Sequence, residues 1–192
     1  MFGQPMSAEP LPHVSSEGGP VLLADFESLR SWRGAFHDSG DYERACETLG
    51  ADTVAELKIG SHHAVVWDIG GPGTADIVIV SPEHISIVRI WPDGSWTDQE
   101  CEQAVISAAT ERFGSDELAQ IVIHSGYLLA LWAPEDMSAG GSPVGESGVP
   151  EDLSIGDGGA YVRVQSGRYS VTACEWQTGI YDVTKIDLRL QA

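Results

Sequence analysis

Three residues within a span of six, Asp41, Arg44 and Cys46 of the stretch DYERAC, carry the side chains of an acid, a cation and a nucleophile. A cysteine acts as a nucleophile only as its thiolate, which needs an adjacent base or a positive local field to form at neutral pH. Arg44 offers the charge, but no histidine follows at a spacing that offers the base. The longer stretch SGDYERACETLG, Ser39 to Gly50, reads more simply as a short capped helix. Asp41 is a good N-cap, Glu43 lies in the positively polarised first turn, and Gly50 can take the left-handed conformation that ends a helix. Tyr42, Ala45, Cys46 and Leu49 then form one apolar stripe while Glu43, Arg44 and Glu47 point elsewhere, so Cys46 is expected to face the core as an inert thiol.

The other chemistry-bearing residues are scattered. His62 and His63 are neighbours on an expected strand and point to opposite faces, which rules out their chelating one metal together. His84 and His124 are the histidines that could meet a carboxylate, Asp68 or Asp76, in the manner of a hydrolase. The sequence holds no helical H-x-x-x-H pair, no G-x-S-x-G elbow and no glycine fingerprint between a strand and a helix. Gly70 to Thr74, GGPGT, has the look of a phosphate loop but lacks the Lys-Ser/Thr ending, and it joins two strand-like segments as a turn. Cys46, Cys101 and Cys174 are odd in number and free of any C-x-x-C arrangement, so no disulfide framework or zinc knuckle is indicated and a reducing compartment fits. No catalytic residue, cofactor site or metal site is assigned.

The elements that would position these residues follow from periodicity. GGPVLLA is a turn entering a strand, with the proline where a missing N–H matters least. TVAELKIG, HAVVWDI, DIVIVS and HISIVRIW are four apolar or alternating runs that read as antiparallel strands. Thr97 and Glu100 make a capping box for a longer helix that Gly114 is expected to close, with Cys101, Ala104, Val105, Ala108 and Ala109 as its inner stripe. QIVIHSGYLLALW and AYVRVQSGRYSVTACEW read as hairpins turning at Ser125-Gly126 and Ser166-Gly167. In TKIDLRL, Ile186, Leu188 and Leu190 alternate with Asp187 and Arg189. The fold class is α+β, mostly antiparallel sheet with one short and one longer helix. The chain divides into a lead-in (1–17), a core domain (18–132), a Gly-, Pro-, Ser- and acid-rich loop (133–159) and strands that complete or extend the sheet (160–192).

Ten Lys and Arg stand against 29 Asp and Glu, a net charge of -19 that repels nucleic acid and anionic membrane and steers basic proteins inward. The first residues lack a cationic end followed by an apolar stretch, and no apolar run approaches a membrane span, so a cytoplasmic location is expected. Six tryptophans, Trp32, Trp67, Trp91, Trp96, Trp132 and Trp176, suit the core; any that prove exposed suit a binding surface.

Taken in order, SSEGGPVLLA, LRSWRG, DYERAC and HAVVWDIGGPGT resemble the opening half of the immunity protein 21 family of bacterial polymorphic toxin systems. The matching positions are Gly18, Gly19, Pro20, Trp32, Gly34, Asp41, Tyr42, Arg44, Ala45 and Cys46, continued by Val65, Val66, Pro72 and Thr74. The resemblance spans residues 14 to about 110 and then thins to SGRYSV before the final strand. The family tends to carry an acidic residue before the proline, where this chain has Gly70 and Gly71. What the resemblance implies is a small cytoplasmic protein that neutralises a cognate secreted toxin by non-covalent binding, without catalysis. The charge fits a basic toxin, such as a nuclease. The carboxylates expected to meet it are Glu43, Glu47 and Glu102 on the helices and Glu135, Asp136, Glu146, Glu151 and Asp152 of the loop. The rival readings are a hydrolase using His84 or His124, and a sheet module that binds carbohydrate or peptide through exposed tryptophans.

Overall fold

A computed structural model describes residues 10–36, 38–112, 116–137 and 158–191. Its strands are β1 (His13–Ser16), β2 (Val21–Asp25), β3 (Val54–Ile59), β4 (His62–Trp67), β5 (Gly73–Ser81), β6 (His84–Pro92), β7 (Ala119–Ile123), β8 (Tyr127–Trp132), β9 (Gly159–Arg163), β10 (Gly167–Gln177) and β11 (Tyr181–Leu190). The helices are α1 (Asp41–Leu49) and α2 (Asp98–Thr110), with one 3-10 turn at Phe26–Leu29. The class is α+β and every strand pairing is antiparallel. Among the described residues no helix is long and apolar enough to cross a membrane.

The strands form two sheets, one ordered β1-β5-β6-β11-β10-β7 and the other β3-β4-β2-β8-β9. Alternation along each strand gives both sheets an apolar inner face, and these meet in a shared core that includes Val21, Leu23, Trp67, Ile77, Ile87, Ile121, Tyr169, Ile186 and Leu188. Each outer face carries a helix. Ala45 and Leu49 of α1 join Leu22, Val66, Leu129 and Trp32 over the five-stranded sheet. Val105, Ala108 and Ala109 of α2 cover Val88 and Val183 of the six-stranded sheet. The molecule is therefore four layers, helix on sheet on sheet on helix.

Both expected hairpins are corners between the sheets. The turn at Ser125-Gly126 takes the chain from β7, which pairs with β10, to β8, which pairs with β2 and β9. The turn at Ser166-Gly167 takes it back from β9 to β10. A Ser-Gly pair between two apolar runs signals a reversal, but periodicity does not tell whether the second run pairs with the first or packs across from it. Here Asp25, 1% exposed at the end of β2, decides the first corner by accepting hydrogen bonds from the His124 and Ser125 amides and the Ser125 hydroxyl. The second corner is tied to the first, with Val164 N donating to Gly126 O and Ser166 Oγ to His124 O.

Three further boundaries differ from expectation. The lead-in contains β1, paired along its length with β5 at the sheet edge. Asp41 is not the N-cap of α1: Gly40 holds that place at φ 69° with no side-chain cap, and Asp41 opens the helix. Helix α2 begins at the Thr97 capping box as expected, with Thr97 Oγ1 accepting from Glu100 N and the Glu100 carboxylate from Thr97 N. It ends at Thr110, and Gly114 lies outside the described residues. A lysine supplies the stop: fully buried Lys185 Nζ donates to Ala108 O at 3.1 Å and Glu111 O at 2.7 Å, a cation on the negative end of the helix.

Candidate protein interface

Of the residues that carry the family resemblance, those between Gly18 and Cys46 converge on one corner. Trp32 is fully buried, its Nε1 donating to Ala133 O at 2.8 Å and its carbonyl accepting from Met137 N. Gly34 sits at φ 58° where an added Cβ would lie 2.0 Å from Pro134 O, so only glycine lets the two backbones touch. Gly18 O accepts from Trp132 Nε1, Pro20 O accepts from Ala133 N, and Gly19 presses on the Tyr42 ring. Asp41 binds the Arg33 amide through one oxygen and Arg44 through the other at 2.8 Å, while the Arg44 guanidinium lies 5.8 Å from the Trp32 ring. Cys46 is half-buried rather than turned into the core. Burial, then the neighbouring Cys46 thiol, push the Tyr42 phenol above its ordinary pKa. The acid and cation of DYERAC thus tie α1 to Arg33 and Trp32, whose segment packs on residues 133–137, while the thiol lies beside Tyr42 of the same helix.

The carboxylates expected to meet a partner do not share a face. Glu43 and Glu47 are exposed on α1, over one sheet. Glu102 is half-buried on α2, over the other sheet, near enough to Asp76 to add to the effect of burial in raising that carboxyl's pKa. Glu135 and Asp136 are half-buried in the segment under Gly34. Glu146, Glu151 and Asp152 lie outside the described residues. A single flat interface cannot engage carboxylates on both outer layers.

The histidines, too, find partners other than those expected. His84, 8% exposed at the start of β6, donates from Nε2 to Asp187 Oδ1 at 2.9 Å, not to Asp68 or Asp76. Asp68 accepts from the Gly70 amide, and Asp76 lies across the ladder from His13. Asp187 also meets Lys185 Nζ at 3.2 Å. Burial alone would raise the Asp187 pKa, but the His84 hydrogen bond and the Lys185 charge outweigh it and hold the carboxylate below its ordinary value. His62, His63 and His124 line a groove of about 270 Å³ with Glu56 and Arg168. Among the described residues no set of three His, Cys, Asp or Glu is placed to hold a metal. Burial raises the Cys174 thiol pKa despite the opposing Lys185 charge, which disfavours the thiolate.

One surface stands apart, and the strand register builds it. On the inner face of the six-stranded sheet, Ile85-Leu188-Val171 and Ile87-Ile186-Ala173 form apolar cross-strand rows. The next two rows on that face are Arg89-Thr184-Glu175 and Trp91-Asp182-Gln177. Glu175, Gln177 and Asp182 are exposed and Trp91 is half-buried, although the face they share is the one that elsewhere makes the core. The ladder of the opposing sheet ends at the row Val54-Trp67-Val21-Trp132, and the exposure of Glu175, Gln177 and Asp182 marks the stretch of β10 and β11 that it leaves uncovered.

The loop from Asp68 to Pro72 walls the end of this overhang. Arg89, 5% exposed, grips it by donating Nη1 to Ile69 O (3.0 Å) and Gly71 O (2.5 Å) and Nη2 to Pro72 O. Its guanidinium also lies 4.2 Å from the Trp91 ring centroid, and an added Cβ on Gly73 would strike it at 2.6 Å. Desolvation lowers the Arg89 pKa and the Asp68 charge offsets part of that. The result is a cavity of about 480 Å³ lined by Gly70, Trp91, Glu175 and Asp182 among others, adjoining a second of about 380 Å³ that shares Trp91, Gln177 and Asp182. The turn from β10 to β11 forms the rim, with Ile180 59% exposed and the Ile180 and Tyr181 amides bound by the Thr178 hydroxyl. The sequence marks the tryptophan but not the surface, because the chemistry changes only where one sheet outruns the other. Comparison of the chain with protein-family models, curated proteins and solved structures gave no match.

Proposed function

We propose that the chain is an immunity protein that neutralises a secreted bacterial toxin by binding it directly, without covalent chemistry. The observation that carries this reading is the excess of acid on the surface. Of the described charged groups, burial removes Arg89 and Lys185 from the surface on one side and Asp25, Asp41 and Asp187 on the other, two positive against three negative, so the buried groups account for only -1 of the chain's net charge of -19. Such a surface favours a cationic protein partner and speeds its encounter, an effect that weakens with salt. The motif residues of the family resemblance support the reading differently, as the frame that holds α1 and the 133–137 segment in place.

The test is co-expression with the toxin encoded beside this chain. Growth rescue and co-purification of the two proteins, with an association rate that falls as salt rises, is the expected result. A toxin that kills equally with and without the chain removes the proposal.

A further inference from the structure

We infer that the overhang beside Trp91 is the docking groove, and that its occupant is an arginine side chain presented by the partner protein. This rests on the proposed function for the identity of the partner, but its argument is geometric. An inner sheet face left uncovered exposes ladder positions that the opposite sheet fills everywhere else, so the groove is the place where a second protein can continue the packing. Apolar rows stop at Ile87-Ile186-Ala173, and the positions that follow offer an aromatic ring with carboxylates rather than further core residues.

Three features select a guanidinium. Asp182 stands directly across from Trp91, and Glu175 is its diagonal neighbour on β10. Diagonal pairs across antiparallel strands are roughly 7–8 Å apart, enough for a planar cation to lie between the two carboxylates. A fork of donors suits two carboxylates better than the single ammonium of lysine, and it stacks on an aromatic face. The Trp91 ring already receives one guanidinium, that of Arg89, which is fixed by three loop carbonyls and so holds the ring ready for a cation on its remaining surface. Asp68 and Asp93 add negative charge at the margins, and the exposed Ile180 gives the rim an apolar contact of the kind found around buried anchors.

The experiment follows the tryptophan indole N–H signals of the full chain by NMR while a capped tri-arginine peptide is added, with tri-lysine and tri-glutamate peptides beside it. The expected result is that the Trp91 signal moves with tri-arginine, less with tri-lysine and not with tri-glutamate. In the double variant Glu175→Gln, Asp182→Asn the affinity falls at least tenfold, whereas Glu43→Gln, Glu47→Gln on α1 leaves it nearly unchanged. An equal loss in both double variants, or no movement at Trp91, overturns the groove and leaves only diffuse attraction to an acidic surface. The toxin assay separates the two proposals. Full protection by the Glu175→Gln, Asp182→Asn variant removes the groove and leaves the immunity reading standing. A tri-arginine peptide that seats at Trp91 in a chain that protects against no neighbouring toxin keeps the groove and removes that reading.

Discussion

Two places in this molecule bring together a tryptophan, an arginine and a carboxylate, and they use the same residue types to opposite ends. At the α1 corner, Trp32 is fully buried, Asp41 is 9% exposed, and Arg44 bridges them from outside. At the overhang the arginine is the buried member, while Trp91 is half-open and Asp182 exposed. In the first, the polar atoms of the trio bind the protein itself: an indole N–H to Ala133, a carboxylate to the Arg33 amide and to Arg44. In the second, only the arginine is committed. The contrast shows that a set of charged and aromatic residues becomes a surface for a partner by where its hydrogen bonds end, not by its composition.

The largest difference between the two places is expected at Gly34. Gly34→Ala forces a Cβ into the Pro134 and Glu135 carbonyls and strains a left-handed backbone, and it should destabilise the fold by roughly 4 kcal/mol in chemical denaturation. Gly40→Ala at φ 69°, where an added Cβ meets nothing within 4 Å, carries the backbone strain alone and should cost about 1 kcal/mol. Equal losses in the two variants would show that the corner is loosely packed and not a frame.

A third cation beside a tryptophan tests the same contrast from inside the fold. Lys185 lies 5.9 Å from the Trp176 ring and ends α2 by binding its last carbonyls. Lys185→Met leaves those carbonyls and Asp187 without the ammonium, and about 3 kcal/mol of stability should be lost, with faster amide exchange in the last turn of α2. The Lys185→Met, Asp187→Leu pair should recover part of the loss, because an apolar pair replaces an unmatched buried charge.

How much of this is legible in the amino-acid sequence depends on whether the signal is local. The α2 capping box at Thr97 and Glu100 needs four consecutive residues, and it forms as their spacing predicts. The end of α2 escapes such a reading because its stop is Lys185, 74 residues beyond Glu111 in the chain. The Ser-Gly turns are visible, but which sheet each following strand joins is settled by long-range groups such as Asp25. Glu43 and Glu102 look equally available in a sequence, and only the layer order puts them on opposite sides. The overhang is hidden for a similar reason: Glu175 and Asp182 join Trp91 through a three-strand register, and nothing near any one of them marks the end of the opposing sheet.

Acid offers a smaller test of the buried network. Asp187 has its pKa held below the ordinary 3.8, so its contribution to stability is full above about pH 4 and is lost as pH falls through the depressed folded value. Stability measured between pH 6 and 2 should therefore drop less steeply at the acid end in Asp187→Asn than in the unaltered chain. Parallel curves would mean that His84 and Lys185 do not favour the ionised form.

The smallest expected effect on folding is the one that best separates frame from surface. Asp182 is exposed on the uncovered end of the inner face, and it faces Trp91 across the ladder without closing a buried network. Asp182→Asn keeps the shape and removes the charge, so the denaturation midpoint should correspond to a change within about 0.5 kcal/mol. Asp41→Asn at the α1 corner is equally isosteric, but it weakens the tie to Arg44 and should cost more, about 1 kcal/mol. A larger loss from Asp182→Asn than from Asp41→Asn would reverse the assignment, making the overhang part of the frame and leaving the acidic groove with no role that the fold itself does not already require.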